Sequence, residues 1–435
     1  HSMSYIDDIQ SAFDAHADIL NYRINLSERR SVGIGIRDND VGSVYSPFSF
    51  SAGTSGSFLV QWQDQRLSRG NLDGNSLAIL DQILTNARQA AYDDPDAAQF
   101  LGPQNVHEVP LFSDDILPLF AERTTYLLDV VAQLQQLAER YQAKTLNGGI
   151  GVSQGQGYLR TSQGLALSNN GTTFSYSGSF DGIIGEGKSQ RTVTSLDEIA
   201  AQIELAGDYL QALRTPAGGI ANGKRMVVLH PNVAYNLFSF FVWGNLGGSS
   251  IFHGQSPFRI EDFHERKQIL REDLMVSIEP WEPLGIGSFG YTSEGVPSTP
   301  TTYIDHGRLT QPVLDLKYAR RLNLPPNTPP GNEESVRIRA ATESTWQELQ
   351  PQLDEAILVL SVLGLHTQDR TSGNYSLSTS QALLVRDGAV QGRIKATLNG
   401  NLFENLRDGE LRLVRFPGQH SLGFALPITV AIEQT

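Results

Sequence analysis

Short segments in which apolar and polar residues alternate recur through the first half of the chain, separated by Gly, Asn and Asp. A period of two places successive side chains on opposite faces of a strand, so that one face can be buried and the other solvated. Sheets with one solvated face are typically antiparallel, and Gly, Asn and Asp favour the tight turns between their strands. The segments that predict this antiparallel sheet are SVGIGIRDND, GSFLVQWQDQRL, GYLRTSQGLALSNNG and TTFSYSGSF.

Four longer segments repeat apolar residues with the period of a helix. They predict helices at residues 5–18, 75–92, 115–141 and 195–214. Ser195 and Glu198 form a capping-box pattern at the start of the fourth helix. The predicted apolar face of the third helix consists of Leu117, Phe120, Thr124, Leu127, Leu128, Val131 and Leu134.

The run TPAGGIANGK, at 215–224, interrupts the last helical pattern with helix-breaking residues. A chain of 435 residues is longer than a single core usually supports, which favours two domains. We therefore predict an α+β fold with two domains. Residues 4–222 are predicted to form a helix-and-antiparallel-sheet N-terminal domain, and residues 223–435 a β-rich C-terminal domain.

The second half begins with a predicted strand, RMVVL, followed by Pro231 in the first turn of an apolar helix that extends to about Trp243. Two hairpins are predicted in TTYIDHGRLTQPVL, turning at DHG, and in ALLVRDGAVQGRIKATL, turning at DG. Residues 325–332, PPNTPPGN, contain too much proline for regular structure and predict an exposed, mobile loop.

The composition limits the classes of function. The chain carries 33 Lys and Arg against 47 Asp and Glu, a formal net charge of −14, whereas nucleic acids and anionic membranes are bound by clustered positive charge. No apolar run approaches the length of a membrane span, no signal peptide is recognised, and there is no cysteine to form a disulfide or a thiolate. We expect a cytoplasmic protein that binds neither nucleic acid nor membrane. The opening HSM, residues 1–3, is interpreted as a vector remnant.

GIIGEGKS, residues 182–189, satisfies the phosphate-binding pattern G-x-x-x-x-G-K-[ST]. In a nucleotide site this loop opens a helix, but the residues after Ser189 are QRTVT and the first helix cap is Ser195. The segment before the motif alternates like a half-solvated strand. We interpret the motif as a turn between two exposed strands.

Two further motifs lack the structural context that their chemistry requires. GVSQG, at 151–155, matches the nucleophile elbow that would expose Ser153, and GIGSFG, at 285–290, matches the dinucleotide fingerprint. Neither is followed by a helical pattern. Both are interpreted as strand or turn sequences.

Two His-Glu pairs begin like the zinc-binding helix H-E-x-x-H. His107 and Glu108 are followed by VPL, whereas Gln268 stands where the second histidine after His264 and Glu265 would fall. Neither pair completes the motif. The remaining candidates, isolated in sequence and interpreted as surface or capping residues, are His230, His253, His306, His366 and His420.

A set of short motifs in the second half occurs in the order found in one known family. The motifs are Arg266–Ile269, Ser293–Val296, Asp305–Thr310, Tyr318–Arg321, Gly373–Ser376 and Gly400–Leu402. With looser matches at Val32–Arg37 and Arg160–Gly164, nearly the whole chain resembles the TldD/PmbA family, formerly called modulators of DNA gyrase. The resemblance implies the two-domain TldD/PmbA fold.

In that family, the TldD-type subunit carries an H-E-x-x-x-H helix after a V-V-L strand, and a late Cys completes a zinc site for peptide hydrolysis. Here the strand is present as Val227–Leu229, and the region of the late Cys offers only His420 and Ser421. The residues near the expected positions of the zinc motif are Phe238, Ser239, Phe240 and Trp243. These replacements remove both the metal ligands and the general base, so the chain resembles the non-catalytic TldE/PmbA-type subunit.

The resemblance implies a heterodimer with a TldD-type catalytic subunit that encloses a chamber for an extended peptide substrate, held by backbone pairing. We therefore assign no catalytic, cofactor-binding or metal-ligating residue to this chain and expect zinc in the TldD-type partner. The expected substrates are flexible or modified peptides, such as leader segments of ribosomally made natural products.

Two other functions remain open from the sequence. The chain could act alone as a peptide-binding homodimer without hydrolysis, or as a hydrolase that uses Ser153. The apolar helix at 231–243 is interpreted as core in preference to an interface. Residues 247–250, GGSS, are interpreted as a flexible turn in preference to a chamber wall or docking site.

Overall fold

The computed structural model describes residues 4–121 and 124–433, so the interpretation of His1–Met3 lies outside the described residues. The α-helices are α1 Tyr5–Ala15, α2 Leu80–Gln89, α3 Tyr126–Arg140, α4 Leu196–Leu213, α5 Pro231–Phe238, α6 Gly244–Leu246, α7 Gly248–Phe252, α8 Ile260–His264, α9 Leu316–Arg321, α10 Trp346–Leu349 and α11 Leu402–Asn405. The strands of the first half are β1 Ile19–Arg37, β2 Asp40–Val41, β3 Ser49–Trp62, β4 Leu67–Asp73, β5 Leu146–Thr161, β6 Ala166–Phe180 and β7 Ile184–Gln190. The strands of the second half are β8 Gly223–Leu229, β9 Met275–Ile278, β10 Thr301–Asp305, β11 Arg308–Leu309, β12 Val336–Arg339, β13 Glu343–Thr345, β14 Glu355–Leu363, β15 Asn374–Arg386, β16 Ala389–Arg393, β17 Ala396–Asn401, β18 Arg412–Arg415 and β19 Gly423–Ile432.

The first half forms one antiparallel sheet with strand order β4-β3-β1-β5-β6-β7, and β2 pairs with the end of β1. Even-numbered residues of β1, among them Ile24 and Ile34, are buried under helices. Helices α1 and α2 cover the β4-β3-β1 side, whereas α3 and α4 cover β5 and β6. The alternation in the sequence thus correctly predicted an antiparallel sheet with one buried face.

The predicted helix at 115–141 is wrong as a single element. A 3-10 helix spans Asp114–Phe120, and α3 begins only at Tyr126. Pro118 has no backbone N–H, so it cannot donate the hydrogen bond that a continuous α-helix would need there. Its presence therefore favours a break in the helix. Two residues of the predicted apolar face, Leu117 and Leu128, are consequently exposed.

The other helix predictions are confirmed with shorter bounds. Helix α1 ends at Ala15, and the segment predicted at 75–92 is a 3-10 turn followed by α2. The capping box of Ser195 and Glu198 is present at the start of α4, where the Ser195 hydroxyl accepts a hydrogen bond from the Glu198 backbone N–H at 3.2 Å. This cap places α4 directly over the sheet.

In the second half, five strands close into a ring. Strand β8 pairs in parallel with β14 and antiparallel with β19, and β14-β15-β17-β19 completes the ring through antiparallel pairs. Alternate residues of β8 point to two cores: Val227 and Leu229 pack with α5, whereas Val228 packs with Leu213 at the end of α4. Helix α4 therefore contacts the cores of both halves.

A four-stranded sheet of order β11-β10-β9-β12 lies beside this ring. Both predicted hairpins are confirmed, and their turns use positive φ at His306 and Gly307 and at Asp387 and Gly388. Residues 325–332 have no regular structure, as predicted, and Pro325, Pro326, Gly331 and Asn332 are exposed, but the middle of the loop is not. Thr328 is 1% exposed, because its carbonyl accepts a hydrogen bond from the hydroxyl of the buried Tyr303.

The residues at the predicted domain boundary, 215–222, connect α4 to β8. The division into residues 4–222 and 223–435 stays a prediction. The mixture of helices with largely antiparallel sheets confirms the predicted α+β class. Among the described residues, no helix combines the length and the apolar character needed to span a bilayer.

Helix α5 and the residues after it form part of the core, as predicted. Phe238, Phe241 and Val242 are at most 1% exposed. Ser239–Trp243 form a π-helical turn between α5 and α6, so the helix continues without a break. The edge of the Trp243 ring meets Tyr303 at a centroid distance of 5.1 Å.

We predict that Phe241→Ala lowers the free energy of unfolding by about 3–5 kcal/mol, the usual cost of truncating a buried phenylalanine. Phe50→Ala is the control, because Phe50 is 57% exposed and its truncation should change stability by less than about 0.5 kcal/mol. Urea denaturation measures both. Equal effects of the two substitutions would contradict a core role for this helix.

Candidate functional site

The solvated face of the N-terminal sheet is built almost entirely from small residues at its centre. Cross-strand pairing aligns Gly33 of β1 with Gly151 of β5, and Gly151 with Ser175 of β6. The next rows have the same composition, since Ser31 pairs with Ser153. This surface forms the floor of a shallow groove of about 610 Å³, which we call the Gly/Ser groove.

Two glycines of the groove are not required by internal packing. A Cβ atom added to Gly35 or Gly151 would meet no heavy atom within 4 Å. Glycine weakens a strand interior, so its presence in open space calls for another reason. A common reason is that a ligand or another backbone approaches closely at that point.

The groove continues into a second cavity of about 520 Å³ between β7 and the second half. The two cavities share Ser177 and Ser189 in their linings. Among the described strands, β7 pairs only with β6, and Gly187, Lys188, Ser189 and Gln190 of β7 line this cavity. The opposite wall includes Asn232 in the first turn of α5 and His420 in the loop before β19.

The segment GIIGEGKS contributes to this wall as a strand and not as a phosphate loop. Residues 181–183 form the turn after β6, and Lys188 and Ser189 lie within β7. The next α-helix begins at Leu196. The interpretation as a turn between two exposed strands holds only for Gly182 and Ile183, because the rest of the motif lies within β7 and Glu186 is buried. The helix N-terminus that a nucleotide phosphate would need is not at the motif.

A network of charged side chains lines the far wall of the second cavity. The Arg337 guanidinium donates to a Glu282 carboxylate oxygen at 3.0 Å and also contacts the His420 ring nitrogen Nε2. The other ring nitrogen of His420 lies 3.4 Å from Glu334. Burial and the positive charge of Arg337 lower the pKa of His420 to about 4, whereas burial raises the pKa of Glu334.

A buried polar cluster lies behind this wall, where α4, β7 and α5 meet. One carboxylate oxygen of Glu186 accepts hydrogen bonds from the side-chain amides of Gln202 and Gln419, each at 3.0 Å. The other oxygen lies 3.9 Å from the Nε2 atom of His230. Burial raises the pKa of Glu186 to about 7 and lowers the pKa of His230 to about 4, so low polarity favours the neutral form of both groups.

His230 is fixed by the local fold. It is the N-cap of α5, and its Nδ1 atom accepts a hydrogen bond from the Asn232 backbone N–H at 3.3 Å. The interpretation of His230 as a capping residue is therefore confirmed. In the part of the chain that the structure describes, no three His, Asp or Glu side chains are grouped so that they could hold a metal ion.

The other motifs lie apart from this cluster. Ser153 is inside β5, and its hydroxyl accepts a hydrogen bond from Arg29 at 3.1 Å, which supplies no general base for a nucleophile. His107 stacks on Trp281 at a centroid distance of 4.1 Å. The side-chain amide of Gln268 donates to backbone carbonyls, among them that of His306 at 3.2 Å.

The interpretation of residues 247–250 as a flexible turn is wrong. Gly247 forms a β-bridge with Val313, and α7 begins at Gly248. A Cβ atom added to Gly248 would lie 2.7 Å from Leu314. Close packing, and not flexibility, accounts for the glycine at 248.

Sequence reasoning missed Glu186 and Arg337. In the sequence, Glu186 is one of the unspecified residues of the phosphate-binding pattern, directly before Gly187. No neighbouring residue indicates that its side chain is buried. Its partners Gln202, His230 and Gln419 lie 16 to 233 residues away. Only the packing of β7 against the second half brings them together.

We predict that Glu186→Gln stabilises the protein by up to about 3 kcal/mol at pH 8, and that this gain disappears near pH 5. Between pH 4.5 and 7 the folded protein keeps the Glu186 proton that the unfolded chain releases, so rising pH destabilises the wild-type protein. Glutamine cannot ionise and avoids this loss.

Urea denaturation at pH 5 and pH 8 measures the effect. Glu272→Gln, at an exposed position, is the matched control and should show no comparable pH dependence. Identical changes in stability for the two variants at both pH values would contradict the assignment of a buried, proton-retaining Glu186.

Comparison with known proteins connects these features to a family. Residues 222–415 match the family model described as PmbA/TldA metallopeptidase C-terminal domain. An uncharacterized protein of Methanocaldococcus jannaschii is 23% identical over 319 residues, which are 71% of this chain and 74% of that protein. Metalloprotease PmbA of Escherichia coli O157:H7 is 28% identical over 186 residues, 42% of this chain and 40% of PmbA.

Solved structures share the fold over nearly the full length. TldE from Thermococcus kodakarensis superposes with a TM-score of 0.81 at 17% identity, covering 98% of this chain and 100% of that one. A putative modulator of DNA gyrase from Bacteroides thetaiotaomicron gives a TM-score of 0.80 at 14% identity, covering 98% and 99%. Residues 222–415 therefore form a domain of the PmbA/TldA metallopeptidase type, and the chain as a whole shares the fold of these solved structures.

Proposed function

We propose that this chain is the non-catalytic, TldE-like subunit of a heterodimeric zinc peptidase that cleaves flexible or modified peptides. One observation carries the proposal: the helix that follows the Val227–Leu229 strand offers no zinc ligands. Phe238 and Phe241 are buried in the core, and Phe240 packs under the Arg370 guanidinium at 5.0 Å. Aromatic side chains provide neither a Lewis acid site nor a general base.

The Gly/Ser groove gives the subunit a role in binding an extended peptide. A flat floor of Gly and Ser lets another backbone approach closely, and the free edge of β7 can pair with an added strand. Backbone pairing depends little on side chains, so it suits substrates of varied sequence. Leader segments of ribosomally made natural products are substrates of this kind.

In this proposal, the TldD-type partner holds the zinc and performs hydrolysis in the cytoplasm, whereas this chain supplies binding surface. A homodimer that binds peptides without hydrolysis is the second candidate, because the Gly/Ser groove supports peptide binding without any partner. The third candidate, a hydrolase using Ser153, has lost support, since the side chain that hydrogen-bonds the Ser153 hydroxyl is the Arg29 guanidinium, which cannot act as a general base.

We predict that peptide hydrolysis requires both chains. The purified chain alone should be inactive on a flexible peptide, and addition of a TldD-type subunit from the same source should raise activity until the two are equimolar. The measurement is a titration monitored by mass spectrometry of the products. A partner that adds nothing would contradict the proposal, and hydrolysis by the lone chain that Ser153→Ala abolishes would favour the serine hydrolase.

We predict that Gly151→Leu lowers peptide binding by about tenfold or more without loss of folding, because the new side chain would enter the open groove. Gly409→Leu is the control, since Gly409 also has open space around its Cβ position but does not line the groove. Fluorescence anisotropy with a labelled flexible peptide measures binding to each variant. Unchanged binding by Gly151→Leu would place the peptide elsewhere.

A further inference from the structure

A second binding feature lies on the same face of the sheet, toward the other end of β1, where Arg23 and Leu59 are buried. Odd-numbered residues of β1 share this face, and from Arg29 at the Gly/Ser groove they continue to Asn25 and Arg23. Asn25 pairs with Ser57, and Ser57 pairs with Asn71 of β4. In the neighbouring cross-strand row, Arg23 pairs with Leu59, and Leu59 pairs with Arg69 of β4. Residues of these two rows line a pocket of about 260 Å³.

Arg23 is the unusual member of this pocket. It is only 7% exposed, yet the described residues provide no ion pair and no hydrogen bond for its guanidinium. Burial lowers the pKa of Arg23, which indicates that the charge is poorly compensated. None of its guanidinium nitrogens is both fully buried and unpaired, so the group reaches the space of the pocket, where a bound anion would compensate its charge.

The carboxylates around the pocket are engaged with other groups. Arg23 and Arg69 are positive, and Glu294 is the carboxylate that acts on Arg23. Glu294 is itself engaged, since it accepts a hydrogen bond from the Leu316 backbone N–H at 3.0 Å. Asp315, which acts on Glu294, is likewise engaged, because it accepts a hydrogen bond from the Tyr318 backbone N–H at 2.8 Å. Neither carboxylate forms an ion pair with Arg23 or Arg69 among the described residues.

The polar groups suit a planar, two-oxygen ligand. A guanidinium can donate two parallel hydrogen bonds to a carboxylate. The Nε atom of Arg69 donates to the Tyr92 hydroxyl at 3.2 Å, which orients the guanidinium and leaves its terminal nitrogens available. Asn25 donates to the Ser293 carbonyl at 3.1 Å, whereas Asn71 and Ser57 line the pocket beside it.

We propose that Arg23 and Arg69, with Asn25, Ser57 and Asn71, form a binding site for one carboxylate of the peptide that lies along this sheet. The inference rests on the proposed peptide-binding function and extends it by naming a chemical preference. The carboxylate belongs to an acidic side chain or to the peptide C-terminus. Arg29 and Asn25 are four residues apart on β1, about 13 Å along an extended strand, so one peptide spans both sites.

The test uses the full-length chain and fluorescein-labelled decapeptides of Gly, Ser and Val with blocked ends. One series carries a single Asp moved along the peptide, a matched series carries Asn, and one peptide has a free C-terminal carboxylate. Anisotropy titrations should show that at least one Asp position, or the free C-terminus, tightens binding about tenfold. Arg23→Met and Arg69→Met should abolish this preference, whereas Arg412→Met, which removes an exposed arginine elsewhere, should retain it.

The outcomes separate the two proposals. Binding of all peptides with no preference for Asp or for the free C-terminus overturns the carboxylate site and leaves peptide binding intact. No binding of any peptide overturns the proposed function together with this inference. Stronger competition by inorganic phosphate than by acetate, at equal ionic strength, would overturn the assignment to a carboxylate. Arg69 is exposed, so Arg69→Met keeps the test valid if the Arg23 variant fails to fold.

Discussion

The two-residue period of the long antiparallel strands is the constraint on which the rest of this structure depends. In β1, even-numbered side chains such as Ile24 and Ile34 enter the cores under the helices, and odd-numbered residues form the solvated face. A shift in register by one residue would exchange the two sets. The same register that buries the core therefore also aligns the glycines and serines of the groove and brings Arg23 and Arg69 into one pocket.

The second half packs the helix that follows β8 into its own core. Its ring of five strands holds α5 and the turn after it so that Phe238 and Phe241 fill the core. Helix α4 and the Glu186 cluster connect this half to the sheet, which fixes the width of the cavity between β7 and the α5 N-terminus.

Much of the fold could be predicted from the sequence, because the alternation, the capping box at Ser195 and the two hairpin turns are local signals. The burial of Thr328 was missed because it depends on contact with the distant Tyr303. The break in the third predicted helix has a local signal in Pro118, but the apolar periodicity across it outweighed that signal. The Gly/Ser groove could not be predicted from the sequence either, because it depends on which residues of neighbouring strands lie beside each glycine. Family resemblance supplied the functional class, but only the structure located the surface that could bind a peptide.

The location of zinc in the assembled pair tests the central claim most directly. X-ray data collected at the zinc absorption edge, from crystals of this chain co-purified with a TldD-type subunit, would give an anomalous peak at each bound ion. The account predicts one peak, in the partner subunit, and none within this chain. A peak beside Glu186, His230 or His420 would show that this chain has a relocated metal site, and it would contradict a non-catalytic role.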